Sequence, residues 1–228
     1  MGSRRRMVTR SDHLRRRVVQ ELEMSAKIRE GLRNQANTIV EIAKICARTF
    51  ERGGKILLCG NGGSAADSQH IAGEFVGRFG MNRRALPALA LTADGSILTG
   101  IANDYGYADV FSRQLTAFAR PGDILLAISV SGESESVIKA VRLAKRMGLV
   151  TVALTSSGGR LRLMADYCIQ VGSRIVPRVQ EAYLTVSHVI CGLVEEIMRH
   201  GTTNIRRPTR QQDVFQLHQR SEGVQGRS

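Results

Sequence analysis

Tryptophan is absent from this 228-residue chain, proline occurs four times, and aromatic residues make up 4% of it. The core must therefore be aliphatic. A single-strand nucleic-acid groove would need aromatic rings interleaved with its cations, and these are too few. No DNA-binding motif can be read either, so nucleic acid is not an expected partner. No apolar run approaches the about 20 residues that a membrane helix needs, so no membrane association is expected. The N-terminal arginines are not followed by an apolar stretch and a cleavage site, so no secretory signal is expected. The four cysteines, Cys46, Cys59, Cys168 and Cys191, form no C-x-x-C pair. They read as reduced core thiols of a cytoplasmic protein.

Charge is abundant but uneven. The net charge is +13, of which residues 1–20 carry +6 and residues 199–228 carry +4. Only +3 remains for the stretch between them, so the basic balance belongs to the ends and not to the fold. Solvated tails explain it. The domain reading is a basic N-terminal tail over 1–19, a folded domain with N-terminal helices over 20–200, and a basic tail over 201–228.

Between Asp12 and Phe50 apolar residues recur at helical spacing: Leu14, Val18, Leu22, Ile28, Leu32, Ile39, Ile42 and Ile45. This predicts one long helix or two shorter ones. After Gly53-Gly54 the pattern changes. Short apolar runs at Lys55–Cys59, Ala88–Leu91, Ile124–Ile128, Val150–Leu154 and Tyr167–Val171 alternate with helical stretches. Continuous rather than alternating apolar strands, separated by helices, predict a parallel sheet covered on both faces. A closing helix is expected from about Arg178 to His200.

Two turns carry the chemical signal. Gly60-Asn61-Gly62-Gly63-Ser64 follows the first strand and opens a helix, with Ser64 in a position to cap it and Asp67 three residues on. Free backbone N–H groups at such a start bind anions. Ile128-Ser129-Val130-Ser131-Gly132-Glu133-Ser134 repeats the arrangement with three hydroxyls around one glycine. A capping role explains Ser134, but Ser129 and Ser131 point to a phosphate held without a cation. The first helix also carries His70 and Glu74, four residues apart on one face. The last carries Gln180 and His188, about two turns apart. Two imidazoles, a carboxylate and an amide oxygen make a ligand set suited to zinc.

Cys59-Gly60-Asn61-Gly62-Gly63-Ser64, Asp67-x-x-His70-x-x-x-Glu74, Gly77-Arg78-Phe79, Asn103-Asp104-Tyr105-Gly106, Ser129-x-Ser131-Gly132-x-Ser134 and Arg178-x-Gln180-Glu181 with His188 occur in this order. Over about residues 20–200 they resemble the phosphoheptose isomerase family of sugar isomerase (SIS) domains. The resemblance implies a three-layer αβα sandwich, flavodoxin-like, with a five-stranded parallel sheet and an N-terminal helical segment used in homotetramer assembly. It implies conversion of sedoheptulose 7-phosphate, a phosphorylated seven-carbon sugar, to D-glycero-D-manno-heptose 7-phosphate by proton transfer through an enediolate. By position, Ser129, Ser131 and Ser134 would hold the phosphate, with Val130 beside them in the substrate site. Asn61, Gly62, Gly63 and Ser64 would line the sugar pocket with Glu74, Arg78, Asn103, Asp104 and Gln180. One zinc per site would sit on His70, Glu74, Gln180 and His188, with Glu74 and His188 as the acid/base pair. Sites would lie at subunit interfaces, so that the two metal-binding helices come from neighbouring chains. Val130 stands where some members have Thr, and Pro177 where some have Asp. The rival readings are a non-catalytic adaptor resembling the DnaA initiator-associating protein, or another phosphosugar isomerase. Retention of both Glu74 and His188 favours the enzyme.

Overall fold

The computed structural model describes residues 10–156 and 158–201. Residues 1–9 and the expected tail beyond Gly201 lie outside the described residues. Helix α1 (Arg10–Glu30) and helix α2 (Ala36–Glu51) come first, joined by a 3-10 turn at Gly31–Gln35. The helical pattern of 12–50 is thus two helices, broken where Gly31 costs a helix about 1 kcal/mol relative to Ala. Helix α1 begins inside the segment read as a tail, and Ser25 is its one buried residue. Ser25 donates to Glu181 (2.5 Å), and Glu181 also meets Arg178 (3.0 Å), which fastens α1 to the last helix.

The remaining elements alternate: β1 (Ile56–Gly60), α3 (Gly63–Val76), β2 (Ala88–Ala90), α4 (Gly95–Tyr105), α5 (Ser112–Phe118), β3 (Ile124–Ser129), α6 (Glu135–Arg146), β4 (Val150–Ser156), α7 (Leu161–Met164), β5 (Tyr167–Val171) and α8 (Val176–Gly201). All strand pairs are parallel and the order is β2-β1-β3-β4-β5. Every residue of β1 and β3 is buried, because helices cover both faces.

Successive side chains point to opposite faces, so each strand feeds two cores. Ile56, Leu58, Ile124, Leu126, Val152 and Leu154 pack under α2, α3 and α8. Leu57, Cys59, Leu125, Ala127 and Ala153 pack under α5 and α6. On α8 the buried residues Val179, Ala182, Tyr183, Val186, Ile190 and Val194 follow a helical stripe. Cys46, Cys59 and Cys191 are buried and Cys168 half-buried, all free thiols. Burial pushes the thiols of Cys46, Cys59 and Cys191 up to about 12, which leaves them unreactive. No helix among the described residues is long and apolar enough to cross a membrane.

The strand order reverses between β1 and β3. Crevices outside the carboxyl ends of strands at such a reversal are where open α/β sheets bind ligands. Gly60 and Ile128 are register partners there, so the two glycine-containing turns emerge side by side.

Candidate active site

The first turn is shaped by glycine and not by a serine cap. Gly62 stands at the N-cap of α3 with φ 58°, a left-handed conformation open to glycine. Ser64 lies inside the first turn, buried, and its carbonyl accepts from Ser68 Oγ (2.8 Å). A β-carbon on Gly60 would meet the Ser64 backbone at 2.7 Å, so this approach also requires glycine. Asn61 is held at both ends: its Nδ2 donates to Ser136 Oγ (3.0 Å) and its Oδ1 accepts from Tyr107 OH (2.8 Å). The cap expected of Ser64 does not form. Asp67 is buried, with Oδ2 lacking a hydrogen-bond partner among the described residues. Burial pushes its carboxyl up to about 6, against the opposing pull of His70.

In the second turn Ser129 Oγ donates to Ser134 Oγ (3.1 Å) and accepts from Gly132 N (3.2 Å), and Ser131 Oγ accepts from Glu133 N (3.2 Å). Ser134 sits at the N-cap of α6, but its hydroxyl turns to Ser129 instead of capping the helix. Gly132 has φ 69°, and a β-carbon there would meet Thr155 Oγ1 at 2.9 Å and Gly158 O at 3.0 Å. A third turn, after β4, therefore packs backbone to backbone against the second. The three turns and the start of α8 line an open cavity of ≈ 640 Å³. Its walls include Asn61, Gly63, Ser64, Ser129, Val130, Ser131, Ser134 and Gln180. Arg174, in the loop before α8, also lines it and supplies a cation that the sequence reading did not anticipate.

Helices α3 and α8 bring together the ionisable groups. His70 Nε2 lies 2.8 Å from His188 Nε2 and 3.4 Å from Glu74 Oε1. One ligand atom from each of the three falls within 4.8 Å of the others. All three come from one chain, so the group needs no neighbouring subunit to form. The two imidazole nitrogens stand at hydrogen-bonding distance, and imidazoles ligate a metal in their neutral form. Two imidazoles and a carboxylate are a zinc-compatible donor set. The Phe79 ring packs on His188, with centroids 5.4 Å apart.

Residues 22–156 match the family model of the SIS domain. A phosphoheptose isomerase of Roseiflexus sp. (strain RS-1) is 53% identical over 190 residues, which cover 82% of this chain and 96% of that protein. One from Akkermansia muciniphila is 52% identical over 173 residues, 75% of this chain and 92% of that protein. The chain belongs to the phosphoheptose isomerase family. Among solved structures, the phosphoheptose isomerase GmhA of Neisseria gonorrhoeae superposes with a TM-score of 0.75 at 37% identity, covering 80% of this chain and 99% of that one. The five-stranded parallel sheet with helices on both faces is thus the SIS fold, and the family is one of aldose–ketose isomerases.

Not every site residue expected from the family pattern joins the cavity. Asn103 and Asp104 lie exposed in the last turn of α4, bonded to each other (2.8 Å), and neither lines it. Arg78 is exposed beyond the end of α3, Gly62 shapes the turn without forming the wall, and Glu74 stands with His70 and His188 and not in the wall. The sequence reading passed over Ser156, Gly158, Gly159 and Arg174, which do line it. The signal for the glycines was present, since Ser156-Ser157-Gly158-Gly159 is a third glycine-rich turn at the end of an apolar run. Arg174 had no such signal. It reaches the cavity only because β5 lies beside β4.

Proposed function

We propose that this chain interconverts sedoheptulose 7-phosphate and D-glycero-D-manno-heptose 7-phosphate. The observation that carries the reading is the pairing of a hydroxyl-rich cavity with the His70–Glu74–His188 cluster, the two being linked by helix α3. Ser64 at the cavity and His70 in the cluster are six residues apart, or ~9 Å of helix. A phosphate at one end and a reacting carbonyl at the other call for an extended sugar chain.

In this reading Ser129, Ser131 and Ser134 receive the phosphate oxygens, with Arg174 balancing their charge. Asn61, Gly63, Ser64 and Val130 flank the sugar, and the grip on the phosphate orients the distant carbonyl end. The Glu74 carboxylate takes the proton from C1 of the ketose, exchanges it with solvent while the enediolate persists, and delivers a proton to C2. Its Oε1 faces His70, so the other oxygen serves the carbon acid. His188 moves a proton between O2 and O1, the acid/base role that an imidazole fills near neutral pH. A zinc ion held by His70, Glu74 and His188, with the Gln180 amide oxygen as a fourth donor, would supply Lewis-acid polarisation of the carbonyl. Arg78, Asn103 and Asp104 reach the sugar only if a neighbouring subunit of a homotetramer brings them or they move on binding. A cytoplasmic location fits a biosynthetic sugar-phosphate isomerase.

The test is turnover of Glu74→Gln and His188→Gln. Each should lose about 10²–10⁴-fold in kcat, the usual contribution of a general acid or base, with the fold retained by circular dichroism. A variant that keeps more than about a tenth of the wild-type rate would contradict its assigned role.

A further inference from the structure

Behind the site lies an ion pair that none of the chemistry above uses. Glu195 on α8 and Arg83, in the loop after α3, have side chains only 3% and 12% exposed and meet at 2.8 Å. Glu195 accepts from four groups of that one loop: Phe79 N (3.0 Å), Gly80 N (2.9 Å), Met81 N (2.9 Å) and Arg83 Nε. Arg83 in turn donates to the carbonyls of Glu74 (2.8 Å) and Phe75 (2.8 Å). These belong to the last turn of α3, whose carbonyls have no partner within the helix. Burial opposes ionisation of Glu195, but the three backbone N–H groups and Arg83 outweigh it and hold the carboxyl below its usual range.

The consequence reaches both proton-transfer residues. Arg83 fixes the backbone of Glu74 itself. Glu195 fixes the backbone of Phe79, whose ring packs on His188. On α8, His188, Gly192 and Glu195 fall at i, i+4 and i+7, one face of the helix. A β-carbon on Gly192 would come within 3.5 Å of the Phe79 ring, so the ring lies in the groove that this glycine leaves.

We propose that Arg83 and Glu195 are positioning residues of the isomerase, a buried pair that sets the Glu74 carboxylate and the His188 imidazole in register with each other. This rests on Glu74 and His188 being the proton-transfer pair. Truncating either member removes hydrogen bonds to a site ligand's support, and lost supports of this kind cost about 10–100-fold in metal affinity or activity.

The experiment compares Glu195→Gln with Leu115→Ala in the full chain. Leu115 is buried under the opposite face of the sheet, so its truncation costs stability without touching the site. Both are assayed at a temperature where circular dichroism finds them folded. Glu195→Gln should lose about tenfold or more in kcat and in zinc affinity, read by competition with a chelating dye. KM for sedoheptulose 7-phosphate should stay within about twofold, because the phosphate turn lies elsewhere, and Leu115→Ala should stay near wild type on all three readouts. Equal behaviour of the two variants, or unchanged kcat and zinc affinity in Glu195→Gln, overturns the proposal. If Glu195→Gln does not fold, Phe79→Leu decides: it strips the ring from His188 and spares the ion pair. It should lower kcat about tenfold at constant KM, since misplacement of a reacting group is felt mainly in turnover, and an unchanged kcat overturns the proposal. Glu74→Gln run in parallel separates the two ideas. Full turnover there refutes the assigned chemistry. A dead Glu74→Gln beside a fully active Glu195→Gln refutes the positioning alone.

Discussion

The side-chain amide of Gln180 rests directly on Gly63, in the space that a β-carbon at that position would fill. Helix α8 thereby touches the opening turn of α3 at the wall of the cavity. Gly63→Ala should push the amide aside. Because the obstacle is the far end of a flexible side chain, the fold should survive with a small change in Tm. Turnover and zinc affinity should both fall, as the proposed fourth ligand is displaced. A Gly63→Ala enzyme with wild-type zinc affinity would remove Gln180 from the metal site.

The phosphate turn can be tested without touching the metal. Ser131→Ala combined with Ser134→Ala removes two hydroxyls from the cavity wall. A hydrogen bond to a charged group is worth about 1.5–3 kcal/mol, so KM for the phosphorylated sugar should rise by tenfold or more. Bound zinc, measured by elemental analysis, should not change. An unaltered KM would move the phosphate elsewhere, with Arg174 the next residue to substitute.

Asp67 gives a pH dependence with a definite sign. Its carboxyl is raised from 3.8 to about 6 by burial, so the folded chain binds this proton more tightly than the unfolded chain does. The destabilisation is absent well below pH 4, develops between about 4 and 6, and is fully present above 6. At 1.36 kcal/mol per unit it amounts to at most about 3 kcal/mol at neutral pH. Asp67→Asn should therefore raise Tm at pH 7.5 and progressively less as the pH falls toward 4.5. A gain independent of pH, or one that grows in acid, would show that Asp67 does not titrate in this window.

The parts of the molecule legible in the sequence are those written in local patterns. The run Tyr167–Val171 is β5 residue for residue, and continuous apolar strands foretold a sheet covered on both faces. His70 and Glu74 on one helical face needed only the 3.6-residue period. The first helical stretch was ambiguous because Gly31 weakens a helix without forbidding one. Ser64 looked like a cap because its chemistry suits one, but Gly62 reaches a backbone conformation that no serine adopts easily. Arg174, Arg83 and Glu195 were invisible for a different reason. Their partners lie on other elements, and only the strand order and the packing of α3 on α8 bring them together. Asn103 and Asp104 carried the family spacing, yet spacing says nothing about which face of the molecule a helix end will occupy.

The central claim is that this chain moves a proton between C1 and C2 of a phosphorylated ketose. The most direct measurement is NMR of sedoheptulose 7-phosphate incubated with the purified full chain and zinc in D₂O. The account predicts an aldoheptose 7-phosphate whose C2 carries solvent deuterium, formed by the wild-type chain and not by Glu74→Gln. Unchanged ketose, with no aldose and no deuterium uptake at C1 or C2, would contradict it.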